Sequence, residues 1–168
     1  MGQGELSKCS QTALIKLSGV AAKFVRRSTL ASAVVFHAFK QDLGRAVHNL
    51  NGNTFKYALT NTAPVASTGA TLADITQITA ANGYTAGGKN DGTQAYSQTA
   101  GTGTMTMSAV TIFTATGGSM ATFRYVVLYN DTAANDPLLM YWDYGSGVVL
   151  AVNETFTIDN SGGVLTLT

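Results

Sequence analysis

The stretch Thr122-Phe-Arg-Tyr-Val-Val-Leu-Tyr-Asn-Asp-Thr-Ala-Ala-Asn-Asp-Pro-Leu-Leu-Met-Tyr-Trp-Asp-Tyr-Gly145 decides the fold of this chain. Two runs dense in β-branched and aromatic residues, 123–129 and 138–144, flank Asn130, Asp131, Asn135, Asp136 and Pro137, residues that turn a backbone rather than extend it. The pattern predicts a long β-hairpin. In its first arm, alternation puts Phe123, Tyr125, Val127 and Tyr129 on one face and Val126 and Leu128 on the other, so both faces are apolar and the strand belongs inside a sandwich. In the second arm Leu138, Met140, Trp142 and Tyr144 oppose Leu139, Tyr141 and Asp143. With the only Trp and four of the seven Tyr, the hairpin is the candidate core. It signals packing and carries no chemistry.

Working outward, further strands are expected at 54–60, 95–99, 103–108, 110–114, 148–152, 155–159 and 164–168, and 72–78 reads as a strand or a helical turn. Turn signals separate them: Asn51-Gly52, Gly101, Gly117-Gly118, Gly145-Ser-Gly147 and Asn160-Ser-Gly-Gly163. Short strands at this spacing, with no helical pattern after residue 80, predict an all-β antiparallel β-sandwich, with jelly-roll and immunoglobulin-like topologies both open. The glycine-rich stretch 82–88 reads as a flexible crossing between sheets. Residues 51–168 form the β domain, and residues 1–50 form a basic, partly helical N-terminal arm.

Only 11% of the 168 residues are charged, so the surface must be built largely from hydroxyls, amides and backbone. Such a surface suits a protein packed against copies or neighbours, and a homo-oligomer is expected. The net charge of +1 conceals a division. Residues 1–56 hold Lys8, Lys16, Lys23, Arg26, Arg27, Lys40, Arg45 and Lys56 against Glu5 and Asp42. Residues 57–168 hold Lys89 and Arg124 against Asp74, Asp91, Asp131, Asp136, Asp143, Glu154 and Asp159. A basic head and an acidic body point to two different neighbours. The single Cys9 excludes an internal disulfide.

Within the head, Leu14, Leu17, Ala21, Phe24 and Val25 share one side of a helical wheel over 12–28, opposite Lys16, Lys23 and Arg27. This basic amphipathic helix suits an anionic membrane, an organelle-targeting role, an acidic protein surface, or simple cover for the β domain. The apolar run 28–39 falls short of the about 20 residues needed to cross a bilayer, so no membrane span is expected. Behind Arg26-Arg27 it has the outline of an export signal, but no cleavage site comes after it. A start site downstream of Met1 would remove the head altogether. Residues 36–49 predict a short neck helix.

Candidate chemistry is sparse. His37 and His48 lie in the head and neck, far in sequence from Asp131, Asp136 and Asp143, and His48 beside Asn49 reads as a turn or capping residue. The three aspartates are oxygen-rich enough to raise calcium, but their spacing matches no ligand set. No metalloprotease helix, nucleophile elbow or phosphate loop is present, so neither an enzyme nor a cofactor or metal site is expected. The basic head alone could neutralise phosphates, but the aromatic residues lie in the acidic body, which disfavours nucleic acid. Trp142, Tyr141 and Tyr144 could serve a carbohydrate-binding or host-adhesive module of a tail or fibre as stacking residues.

The blocks Asp42-Leu43-Gly44, His48-Asn49-Leu50, Thr54-Phe55-Lys56-Tyr57-Ala58-Leu59, Gly83-Tyr84-Thr85-Ala86-Gly87-Gly88, Val127-Leu128-Tyr129-Asn130-Asp131-Thr132 and Pro137-Leu138-Leu139 resemble, in order and spacing, a family of small structural proteins of tailed bacteriophages and prophages. The resemblance covers about residues 36–168. It implies a non-enzymatic β-sandwich virion protein, a capsid decoration or cement protein on the outer capsid surface with the major capsid protein as partner. Leu14, Lys16, Leu17, Lys23, Phe24, Arg26 and Arg27 are then the candidate partner-binding residues, through which the arm would anchor on the capsid lattice.

Overall fold

The computed structural model describes residues 14–18, 33–90, 92–107, 111–159 and 163–168. In chain order these form β1 (Leu14–Ser18), β2 (Ala33–Val35), α1 (His37–Gly44), β3 (Phe55–Thr60), β4 (Gln94–Thr99), β5 (Thr102–Met107), β6 (Thr111–Thr114), β7 (Phe123–Asn130), β8 (Leu138–Val148), β9 (Thr155–Asp159) and β10 (Leu165–Leu167). The strands pair antiparallel into three sheets, ordered β2-β8-β7-β3, β1-β9-β6 and β10-β5-β4. The protein is thus mostly strand, as its turn spacing and β-branched runs predict.

The expected hairpin is β7 and β8, at the centre of the four-stranded sheet, and both of its faces are covered. Tyr57 and Leu59 of β3, Val126 and Leu128 of β7, and Met140 and Trp142 of β8 meet Met105, Phe113, Phe156 and Leu165 from the other two sheets in the main core. On the opposite face Ala58, Val127, Tyr129 and Leu138 pack with Phe36 and Ile75. Simple alternation fails at two places. Leu128 pairs with Met140 but Tyr129 with Leu138, so Leu139 is the extra residue of a bulge. Leu139 therefore joins Met140 and Trp142 in the main core while Leu138 turns to the other side. Phe123 pairs with Val148 whereas Tyr125 pairs with Asp143, and this second irregularity brings Phe123 to the main core with Val126 and Leu128. The irregularity at Leu139 inserts one residue and the second inserts three, both odd numbers, so each exchanges the faces.

The head departs further from expectation. Residues 14–18 do not belong to a helix over 12–28: they form β1, whose backbone runs from Leu14 opposite Asp159 to Ser18 opposite Thr155. A helix of this length is marginal in water without packing, whereas β9 offers a ladder of backbone partners, and tertiary pairing overrides the 3.6-residue period. The rest of that expected helix lies outside the described residues. Part of the apolar run 28–39 is β2, an edge strand on β8, followed by Phe36, which is fully buried and donates its N–H to the Leu139 carbonyl at 3.1 Å. The sheet therefore begins upstream of residue 51, at Ala33. The neck helix forms as α1, with Phe39 buried.

Of two other segments, 72–78 takes the helical-turn alternative over its first residues, and 148–152 departs from expectation. Leu72–Asp74 is a single 3₁₀ turn, held by the Asp74 carboxylate, which accepts from Ala70 and Thr71 N–H at 3.0 and 2.9 Å. The strand expected at 148–152 is absent: β8 ends at Val148, and Val149 and Val152 are exposed in the turn that leads to β9. Here Leu150 is buried and its carbonyl takes Met120 N–H, while Asn153 has φ of 69°, a conformation that ends a strand.

The glycine-rich stretch 82–88 is tightly packed, against the expectation of a flexible crossing. Tyr57 and Lys89 exchange backbone hydrogen bonds of 2.9 and 3.1 Å, which lays Gly88 on the outer edge of β3. A Cβ on Gly88 would stand 1.8 Å from the Tyr57 carbonyl oxygen, at a φ of +64°. Tyr84 crosses the same segment: its hydroxyl accepts Leu59 N–H at 3.1 Å and donates to Gln77 Oε1 at 2.7 Å, and burial pushes its pKa up to about 12. Gly101, in the tight β4–β5 turn, has a similar φ of +87° but nothing within 4 Å. We expect Gly88→Ala to destabilise the fold by more than about 2 kcal/mol, from backbone strain plus the clash, and Gly101→Ala by about 1 kcal/mol. Thermal melts of the two variants check this, since equal shifts would mean that the close approach at Gly88 contributes nothing.

Candidate interaction surface

The residues expected to bind a partner fall in the head. Leu14, Lys16 and Leu17 are in β1, whose backbone places them opposite Asp159, Thr157 and Phe156 of β9. Lys23, Phe24, Arg26 and Arg27 lie outside the described residues. The stacking residues do not form a platform. Trp142 is 2% exposed and packs 6.1 Å from Tyr57 in the main core, with its indole N–H buried and unpartnered. Tyr144 leans on Phe156 at 5.9 Å. Of the three, Tyr141 is the one on the outer face of the main sheet, between Phe36 at 5.3 Å and Tyr125 at 6.3 Å.

The acidic residues are taken up singly rather than brought together. Asp143 accepts Arg124 Nε and Nη2 at 2.7 and 2.8 Å and also Gly145 N–H at 2.7 Å. The Arg124 hydrogen bonds hold this carboxyl below the usual range, and the same pairing raises the guanidinium. Arg124 also lies 5.3 Å over the Tyr125 ring. Asp131 pairs with Lys56 at 2.8 Å beside the Tyr129 hydroxyl, which sits 3.2 Å from the carboxylate and donates to the Gly87 carbonyl at 2.7 Å. Burial, then the Asp131 charge, raises the Tyr129 phenol. Asp143 is level with Tyr125 and Asp131 lies six residues further along, roughly 20 Å away at strand rise. The calcium grouping is therefore not assembled. Among the described residues no cluster of three His, Cys, Asp or Glu could hold a metal ion. No described helix is long and apolar enough to cross a membrane.

Beside the tyrosines, the loop after β3 folds over the outer face of the sheet. Ala66 accepts the His37 N–H at 2.9 Å, and Gly69 rides against the Phe36 ring. The loop encloses an open cleft of about 380 Å³ lined by residues including Thr62, Pro64, Val65, Thr68 and Ile75. Val65 at its mouth is 57% exposed. Hydroxyls, backbone, short apolar groups and the Asp74 carboxylate line it, and that carboxylate is held by the Ala70 and Thr71 N–H groups.

His48 differs most from its sequence reading. It is Asn49 that caps the turn, its Oδ1 accepting N–H from Asn51 and Gly52 at 3.1 and 3.0 Å. His48 points inward, 6% exposed, with its ring 5.1 Å from Phe39 and its Nδ1 3.1 Å from the Asn130 amide nitrogen. The signal missed is that Asn130 ends a buried strand, where an amide must find inward partners.

No protein-family model, curated protein or solved structure matches this chain. The character of the surface rests on its own chemistry. Because Trp142 is sealed in the core, we expect blue-shifted emission that resists iodide quenching and does not respond to added oligosaccharides. Fluorescence titration checks this, and strong quenching would place the indole at the surface.

Proposed function

We propose that this chain is a non-enzymatic virion structural protein of a tailed bacteriophage or prophage, a capsid decoration or cement protein on the outer capsid surface. In this reading the three sheets form a β-sandwich that packs with copies of itself and on the major capsid protein lattice. The N-terminal segment makes the anchoring contact, through Leu14, Lys16, Leu17, Lys23, Phe24, Arg26 and Arg27.

The observation that carries the reading is how the β domain uses its few charges. Lys56 and Arg124 are tied to Asp131 and Asp143, while Asp74 and Glu154 hold backbone turns. Lys89, Asp136 and Asp159 are the other charges of this domain among the described residues, and its uncharged surface offers hydroxyls, amides and backbone, which pack against a neighbour at small desolvation cost. The resemblance of residues 36–168 to phage structural proteins points the same way. Of the aromatic rings a carbohydrate-binding module could use, Trp142 is sealed in the core, while Tyr141 and Tyr144 are half-buried against other rings.

A stable shell contact needs about 1,200 Å² of buried surface, within reach of a domain face plus an arm. Quantitative mass spectrometry of purified virions is the test. We expect a stoichiometry on the scale of the major capsid protein, and loss of the chain from particles when Lys23, Arg26 and Arg27 are changed together to Glu. A few copies per virion would move the protein to the tail, undiminished occupancy would remove the arm from the proposal, and absence from virions would overturn it.

A further inference from the structure

We propose that His48 is an acid-sensitive latch, fastening α1 and the turn at 48–53 to the end of β7 while its imidazole is neutral and releasing them when it takes a proton.

The side chain of Asn130, at the end of β7, is fully buried. Its Oδ1 accepts N–H from Thr132 and Ala133 at 3.0 and 3.2 Å, which fixes the orientation of the amide. The Nδ2 group must then donate, and its two hydrogens have two receivers: Asn53 Oδ1 at 2.9 Å and His48 Nδ1 at 3.1 Å. Asn53 Oδ1 also accepts Asn49 N–H at 2.8 Å, so it cannot exchange roles either. The network thus leaves one assignment for His48, with Nδ1 bare and the proton on Nε2. Protonation at Nδ1 would set N–H against N–H in a buried space, and neither amide can flip without abandoning a backbone donor.

The ring also bridges separate parts of the fold. Phe39 of α1 covers one side at 5.1 Å, and Asn130 connects the ring to β7. Nε2 is buried without a partner, so the neutral ring is held by Nδ1 alone. The carboxylate that acts on it is Asp42 of α1, which favours the cation; Lys40 and Arg45 of the same segment are exposed. The 49–53 turn carries no charge, and Asp131, next to Asn130, is bound to Lys56. Desolvation outweighs Asp42 and lowers the pKa of His48. The latch is therefore fully closed above the ordinary histidine value of about 6.5 and is lost as pH falls through the lower folded value. Because α1 follows β2 after Phe36 alone, release of α1 loosens the edge of the main sheet.

Amide hydrogen exchange with NMR titration of the full chain tests the latch. Protection factors in α1 and the 48–53 turn, corrected for intrinsic exchange, should fall by up to about tenfold per pH unit below the ordinary value, one proton being taken up on opening. The β7–β8 ladder should stay protected over that range. His48→Gln keeps an acceptor for Asn130 but does not titrate, and should abolish the pH dependence. Asp42→Asn should move the His48 titration of the closed state to lower pH and carry the fall in protection further down the pH scale, beneath the same onset. A His48 titration at or above its ordinary value would overturn the proposal. So would unchanged α1 protection through that titration, or the same pH dependence in His48→Gln.

Discussion

A four-stranded sheet whose central strands are apolar on both faces cannot stand unless each face is covered, and that requirement organises this molecule. The two smaller sheets cover one face with Met105, Phe113, Phe156 and Leu165, while Phe36 and the loop after β3 cover the other with Ile75 and Leu72. The outer edge of β3 is closed as well, by bridges to Gln77 and Lys89. An uncovered edge is a template for unwanted pairing, so the tight fit of the glycine-rich segment serves solubility as much as stability. The two irregularities between β7 and β8 belong to the same arrangement, because they direct Phe123 and Leu139 to the face where the other sheets need them.

The polar groups inside this framework act mainly as ties. Tyr84 joins Leu59 to Gln77, Tyr129 joins β7 to Gly87, and Asn130 gathers Asn53, His48 and the hairpin turn. Each is an amide or hydroxyl that reaches groups the strand ladders leave unpaired. Lys56, Arg124, Asp131 and Asp143 are similarly committed to one another, and Asp74 and Glu154 to turns. These charges therefore serve the fold as ties between elements and within turns. The His48 network stands apart because one of its members is a titratable imidazole whose charged form burial disfavours.

The legible part of the sequence was the part governed by local rules. Alternating β-branched and aromatic residues with turn signals between them marked β3, β4, β5, β6, β7, β8, β9 and β10, and the hairpin was identifiable as two-faced from its apolar density. The short helix after Phe36 was legible for the same reason. Face assignment within β7 and β8 was not, because a bulge inserts one residue without any local signature and inverts the faces of the strand beyond it. The candidate surface was legible only as composition: few charges and abundant hydroxyls gave its character, not its place.

By itself, then, the sequence determined the strand-rich class, the central hairpin and the scarcity of reactive groups, since these depend on residue type and spacing. Tertiary structure alone decided that Leu14–Ser18 is a strand beside β9, that Ala33–Val35 is an edge of the main sheet, and that Trp142 is sealed away from solvent. It alone decided that Asp131 and Asp143 lie at opposite ends of a strand, each with its own cation, and that His48 faces Asn130 across 82 residues of chain. Partners so distant in sequence are chosen by packing and by the need to satisfy buried polar groups, and those demands exist only once the sheets have met.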